Sequence, residues 1–279
     1  MTTPQPLPRV TAIRYVQPLR EGGSLPAVVD TEDGLYVMKF RGAGQGPKAL
    51  IAELLVGLLA GALDLPVPQL ALVDLPPTFG RSEPDPEIQD LLRQSHGLNV
   101  GLRYLEGAFN FDPTAADEVI TPGFASRLVW LDGLVTNPDR THRNPNLLVW
   151  QRRPWLIDHG AALYVHHDWA SATPEKVRAP FPLIAGHVLL RRSDGLDRVD
   201  AESAAALEGE TVRRIVDQLP DELLAGPQLE REGDPGMHRA RYYEYLTARL
   251  LAPRAFHTAA LEAREALLRT APRARSARR

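Results

Sequence analysis

The chain has 279 residues, of which 44% are hydrophobic and 24% charged, the composition of a folded globular protein with ample material for a core. A formal net charge of −3 gives no overall basic field, so no nucleic-acid partner is expected. Cysteine is absent, which excludes disulfides, thiolate nucleophiles and Cys-ligated zinc or iron–sulfur centres.

The opening MTTPQPLPRV lacks the apolar core of a secretory signal. Short apolar runs at 10–16, 25–30 and 35–40, separated by EGGS (21–24) and TEDG (31–34), predict an antiparallel strand meander. RGAGQGPK (41–48) leads into a helix over 48–63. Its apolar stretch, 49–63, is too short to span a bilayer and carries a glutamate, so a cytoplasmic chain with no membrane insertion is expected. QLALVDL (69–75) reads as a strand, PPTFGRSEPDPE (76–87) as an exposed loop, and GLNVGLRYLEGA (97–108) as a strand running into a turn.

From about 121 the pattern turns helical. Phe124, Leu128, Leu131 and Val135 recur at helical spacing in 122–136. The polar NPDRTHRNPN (137–146) follows, then strands LLVW (147–150) and PWLID (154–158) joined by QRR. Helices are predicted over 201–217, 220–225 and 239–269, with a break near Pro253, and PRARSARR (272–279) reads as a solvated basic tail. A strand-rich part followed by a helix-rich part is an α+β layout of two lobes with a cleft between them.

The polar loop carries far more than a turn needs. Asp139 lies within it and Asp158 ends the second strand; two strands joined by a tight turn bring these carboxylates together, with Asn144 and Asn146 between them. Carboxylate and amide oxygens are hard donors suited to Mg²⁺, and the second carboxylate is free to accept a proton from an attacking hydroxyl. Alone, Asp139 could cap a turn and Asp158 could close a strand; the ordered set points to chemistry. Lys39, in LYVMKF, points outward if the strand is an edge, or inward if it has a partner. Glu53 is the one acid between Lys48 and Asp64 on a helix apolar nearly all round, and a carboxylate buried there needs a cation. Two glycine-rich loops, EGGS and RGAGQG, could each present amides to phosphate or be ordinary turns. His166 and His167 read as lying at the edge of the site or on the surface, and Trp130, Trp150 and Trp155 as core packing.

The order of Gly-rich hairpin, strand lysine, helix glutamate, loop Asp and Asn, then Asp-x-Gly resembles the protein-kinase-like fold, and NPDRTHRNPNLLVW with LIDHGAAL is similar to the HipA-like kinase branch. The resemblance covers residues 10–165 well. It implies that Asp139 is the catalytic base, Asp158 the main Mg²⁺ ligand, Lys39 a contact to ATP phosphates and Glu53 the residue that positions Lys39. It further implies that Gly22, Gly23 and Ser24 fold over the nucleotide, and that Arg103, Tyr104, Leu105 and Glu106 form the hinge beside adenine. The expected division is a nucleotide-binding lobe over 1–106, a helical catalytic lobe over 107–270 and a tail over 271–279.

Two departures stand out. His142 lies three places after Asp139 where the family's histidine lies two places after, and Asn144 keeps the family spacing while Asn146 directly precedes the strand, so both stay metal candidates. Toxin-type members carry an extra region before the nucleotide lobe; here the first strand begins almost at once, so an antitoxin partner is not expected. The resemblance thus implies an ATP- and Mg²⁺-dependent phosphotransferase acting on a protein Ser/Thr hydroxyl. A small-molecule or lipid kinase is the alternative, because NLLV, LID and the Asp139–Arg140 pair also resemble those enzymes; a non-catalytic nucleotide-binding scaffold is the third reading.

Overall fold

A computed structural model describes residues 6–19, 25–44, 46–81, 83–226 and 229–270. Gly22, Gly23, Ser24 and the basic tail lie outside the described residues. The N-terminal part is strand-rich: β1 (Arg9–Pro18), β2 (Ala27–Thr31), β3 (Gly34–Lys39), α1 (Pro47–Ala62), β4 (Leu70–Leu75), α2 (Pro86–Gln94) and β5 (Gly97–Arg103). The predicted meander forms, with Val28 facing Val37 and Ala27 facing Met38 across β2 and β3. The sheet then closes into a barrel in the order β1-β2-β3-β5-β4, sealed by a short parallel pairing of β1 with β4.

Alternation along the strands turns Val10, Ala12, Val29, Tyr36, Met38, Ala71 and Val73 into the barrel interior. Gly101 on β5 is required there, since a Cβ would come 2.8 Å from Val73 Cγ2 and 3.3 Å from Tyr36. The stretch expected to be loop through Glu87 and unassigned beyond it contains α2. Pro86 opens this helix and Asp85 caps it, its carboxylate accepting from Glu87 N at 2.9 Å. Leu92, the one buried residue of α2, joins the barrel core.

The Leu- and Ala-rich α1 has high helix propensity and no polar stripe, so it must be covered on every side. It packs against β5 and against helices of the C-terminal part, joining the main hydrophobic core. That part comprises β6 (Phe109–Asn110), α3 (Pro122–Leu134), β7 (Leu147–Trp150), β8 (Arg153–Leu156), α4 (Pro174–Val177), α5 (Leu196–Ala206), α6 (Gly209–Val216), α7 (Asp221–Leu224), α8 (Pro235–Leu250) and α9 (Ala255–Thr270). The chain is therefore a mixed α+β protein, strand-rich first and helical second.

Three local details differ from the reading of the sequence. The helix expected over 201–217 is two helices, broken where buried Leu207 turns into the core. The β7–β8 turn is Gln151–Arg152, both at positive φ, and Arg153 already belongs to β8. β8 ends at Leu156, so Asp158 sits beyond the strand at φ 56 and not at its terminus. The break near Pro253 is present between α8 and α9. Among the described residues no helix is long and apolar enough to cross a membrane.

The C-terminus of α3 sets the direction of the polar loop. Arg249 on α8, 3% exposed, donates from Nε to Leu134 O at 2.7 Å and from Nη2 to Gly133 O at 2.8 Å. Helix-end carbonyls that would otherwise lack partners are thereby satisfied by a remote side chain.

Candidate active site

β3 delivers Lys39 at its last residue, and α1 presents Glu53 from its middle, fully buried. Lys39 Nζ donates to Glu53 Oε2 at 2.7 Å and to Asp158 Oδ1 at 2.5 Å. The backbone N–H of His159 donates to the same Glu53 oxygen at 2.8 Å. The inward alternative for Lys39 is the one that forms. Burial disfavours its charge, but Glu53 and Asp158 outweigh that and raise its pKa above the ordinary value. Burial likewise pushes Asp158 up, and the ammonium of Lys39 reverses this to leave its carboxyl below the usual range.

The loop 137–146 is built around a residue absent from the sequence reading, Asp132 on α3. Its carboxylate is fully buried and accepts from Asn137 Nδ2 at 3.0 Å and Arg140 Nε at 2.6 Å. His187 completes the set: its Nδ1 accepts from Leu189 N at 3.0 Å, so Nε2 carries the proton and donates to Asp132 Oδ2 at 2.9 Å. Burial raises the Asp132 pKa, yet Arg140 and His187 more than offset it and hold the carboxyl far below its ordinary value.

Arg140, 1% exposed, extends the clamp by donating to Asn146 O at 2.5 Å and, from Nη2, to His159 Nδ1 at 3.3 Å. His159 is wholly buried, and that burial brings its pKa down to about 4. Asn137 Oδ1 in turn accepts from Asp139 N at 3.1 Å. One buried acid thus fixes both ends of the loop. The signal that could have found it is the one that pointed to Glu53: a single carboxylate on an apolar helix.

With the loop so held, Asp139 is half-buried and its Oδ2 accepts from Asn144 Nδ2 at 2.8 Å and Asn146 Nδ2 at 3.1 Å. Asn146 Nδ2 also donates to the backbone carbonyl of Asp158 at 3.4 Å, so one amide joins the Asp139 carboxylate to the main chain at Asp158. Asn144 is exposed, whereas Asn146 is 7% exposed. Lys39, Glu53, Asp139, Asn144, Asn146 and Asp158 therefore form one connected cluster drawn from β3, α1, the loop and the β8 exit.

Residues 103–106 connect β5 to the C-terminal part, with their groups turned to different neighbours. The Arg103 guanidinium donates to Asp33 O and to Asp33 Oδ2, the latter at 3.1 Å, and stacks over Tyr36. Tyr104 N donates to Leu35 O at 2.9 Å, Leu105 O accepts from Ala108 N at 3.0 Å, and Glu106 O accepts from Trp150 Nε1 at 2.9 Å. In RGAGQG, the amides of Arg41 and Gly42 donate to Asn99 Oδ1 and Ser95 Oγ, so those two are engaged by the protein itself. His166 is fully buried beside Tyr242 Oη, 3.0 Å from its Nδ1, which corrects its expected place at an edge; His167 is exposed. Trp130 is core, while Trp150 and Trp155 are half-buried and pack edge to face.

Among the described residues no three His, Cys, Asp or Glu side chains gather as a metal cage. The donors on hand are the Asp158 carboxylate and the side-chain amide oxygens of the loop, a set that suits a hard cation sharing its shell with water and phosphate.

The profile of the family described as HipA-like kinase matches residues 13–231. The crystal structure of CtkA, a proinflammatory kinase from Helicobacter pylori, is similar with a TM-score of 0.57 over 92% of this chain and 99% of that one. Identity between the two is 13%, so the likeness is one of fold. No curated protein matches the chain.

Proposed function

The chain belongs to the HipA-like kinase family, and on that premise we propose that it is a cytoplasmic, ATP- and Mg²⁺-dependent phosphotransferase with a protein Ser/Thr hydroxyl as acceptor. One observation carries the reading. Lys39 Nζ sits between Glu53 and Asp158, a residue 119 positions away, and Asn146 links Asp158 to Asp139. That cluster supports the reading, in which Lys39 is the phosphate-binding cation, Asp158 the metal-binding carboxylate and Asp139 the proton acceptor.

Asp158 and Asn146 are the residues that would hold the metal; buried Asn146 is preferred to Asn144, whose amide is turned to Asp139 from an exposed position. A Mg²⁺ ion held there would supply charge neutralisation to the transferring phosphoryl group. Lys39, kept in place by Glu53, donates to the ATP phosphates. Asp139 orients the acceptor hydroxyl and takes its proton as the new O–P bond forms and ADP leaves. Both asparagines donate to Oδ2 of Asp139, and no protein donor among the described residues engages Oδ1, which is the oxygen assigned to the acceptor proton. The connector 103–106 serves as the hinge between lobes at 1–106 and 107–270.

The test is incubation with γ-labelled ATP and Mg²⁺ beside protein and metabolite fractions. Label on Ser/Thr of protein, lost in Asp139→Ala, is the expected result. Label on a soluble metabolite would assign the small-molecule alternative, and nucleotide binding without turnover would assign the scaffold.

A further inference from the structure

Lys48 departs from local rules in two ways. It lies in the first turn of α1, where the positive end of the helix dipole disfavours a cation, and that turn has no acid to offset it. It is also 4% exposed, although lysine is rarely buried without partners. Its partners come from far along the chain. Nζ donates to His166 O at 2.6 Å and to the two carboxylate oxygens of Glu232 at 2.9 and 3.1 Å, across separations of 118 and 184 residues. Three acceptors match the three protons of an ammonium. Residues that break a local rule and are satisfied only by tertiary partners are where function is to be sought.

The segments joined here are those whose placement phosphotransfer requires. α1 carries Glu53, five residues beyond Lys48 and about 7.5 Å along the axis. His166 lies eight residues after Asp158, on the segment whose His159 N–H donates to Glu53. Glu232 precedes α8, the helix whose Arg249 caps α3. Beyond its apolar packing, α1 would be tied to the segment after Asp158 by a single polar contact if Glu53 acted alone. Lys48 makes a second, and two such contacts hold the helix angle. Lys39 must release Asp158 to reach a phosphate, and during that exchange only the seat of α1 keeps Glu53 where Lys39 needs it.

We propose that Lys48 is a positioning residue, pinning α1 to the segment after Asp158 and to Glu232 so that Glu53 holds Lys39 in register. The proposal rests on the kinase reading above for its consequence, but not for its geometry.

The experiment compares wild type with Lys48→Met, Glu53→Gln and the double variant. Lys48→Met keeps the aliphatic stem and removes the charge. It is expected to lower kcat by about tenfold to a hundredfold, with a smaller change in KM for ATP. In the Glu53→Gln background the same change is expected to cost nothing further, because both act through one lysine; additive losses would overturn the proposal. Amide exchange over residues 49–60 is measured in parallel, without nucleotide, and is expected to rise by about tenfold in Lys48→Met. Unchanged exchange would overturn the proposal even if wild type proved inactive, an outcome that would sink the kinase reading alone. Should Lys48→Met not fold, Glu232→Gln removes the charged acceptor from a partly exposed loop and reports the same two readouts, with a smaller effect because the bond to His166 O survives.

Discussion

Asp132 and the pair Asp139–Asp158 lie within a single loop's reach, yet their surroundings are opposite. Asp132 is sealed from solvent and every direction of its carboxylate is met by Asn137, Arg140 or His187. Asp139 and Asp158 are half-buried, and each keeps capacity that the protein does not consume. A fully satisfied buried ion pair holds a loop in place and can do no chemistry; an acid that meets solvent can exchange one partner for another. The pattern distinguishes a carboxylate that builds the site from those proposed to act in it.

The sharpest way to break that contrast is to separate rate from stability. Asp139→Ala is expected to reduce turnover by about 10² to 10⁴ while leaving the unfolding midpoint almost unchanged, measured by phosphotransfer and urea titration together. Asp132→Ala should do the reverse in kind, leaving the Arg140 guanidinium buried without its acid and costing about 3–5 kcal/mol in the same titration. If instead Asp139→Ala destabilises as much as Asp132→Ala, the distinction between the two centres is wrong.

Protonation sharpens the contrast next. His187 is buried, and burial lowers its pKa below the ordinary 6.5 despite the raising effect of Asp132. Below pH 6.5 the unfolded chain therefore binds a proton that the folded protein refuses, so stability is full above 6.5 and falls as pH drops. The slope is up to about 1.4 kcal/mol per pH unit for each such histidine. His166 is also held down by burial and contributes in the same sense. Asp132 adds nothing in this window, because its lowered pKa affects stability only below the usual carboxylate range. Urea midpoints from pH 7 to 5 should decline, and His187→Gln should flatten the decline; an unaltered slope would remove His187 from the account.

The smallest effect is expected where an ion pair is exposed. Arg103 meets Asp33 on the surface, with side-chain exposures of 38% and 56%. Arg103→Ala should cost no more than about 1 kcal/mol, a baseline against which the buried centre is read. Its guanidinium is turned to the β2–β3 turn, so nucleotide affinity measured by titration calorimetry should barely move.

Much of the fold was legible because its signals are local. Short apolar runs between turn signals marked β2 and β3, an unbroken apolar run marked α1, and helical spacing marked α3. Where the signal was weak the reading failed: α2 has one buried residue, so its cap and opening proline lay in what looked like loop. The site was partly legible for a related reason. Glu53 announced itself as an acid without a solvent face, and Asp139, Asn144 and Asn146 as polar residues too dense for a turn. Asp132 is the same kind of anomaly as Glu53, a lone acid on an apolar helix, and its partners Asn137 and Arg140 lie 5 and 8 positions on while His187 lies 55 away.

Apolar runs, periodicity and stray charges are properties of neighbours in the chain, and by themselves they determined most element types, the strand-then-helix order and a short set of residues in need of partners. Which partner each one takes was decided by tertiary structure alone. Lys39 with Glu53 and Asp158, Asp132 with Arg140 and His187, and Lys48 with Glu232 are pairings that desolvation demands but sequence spacing does not encode. A buried charge requires an opposite one, and only the packed chain says which is within reach.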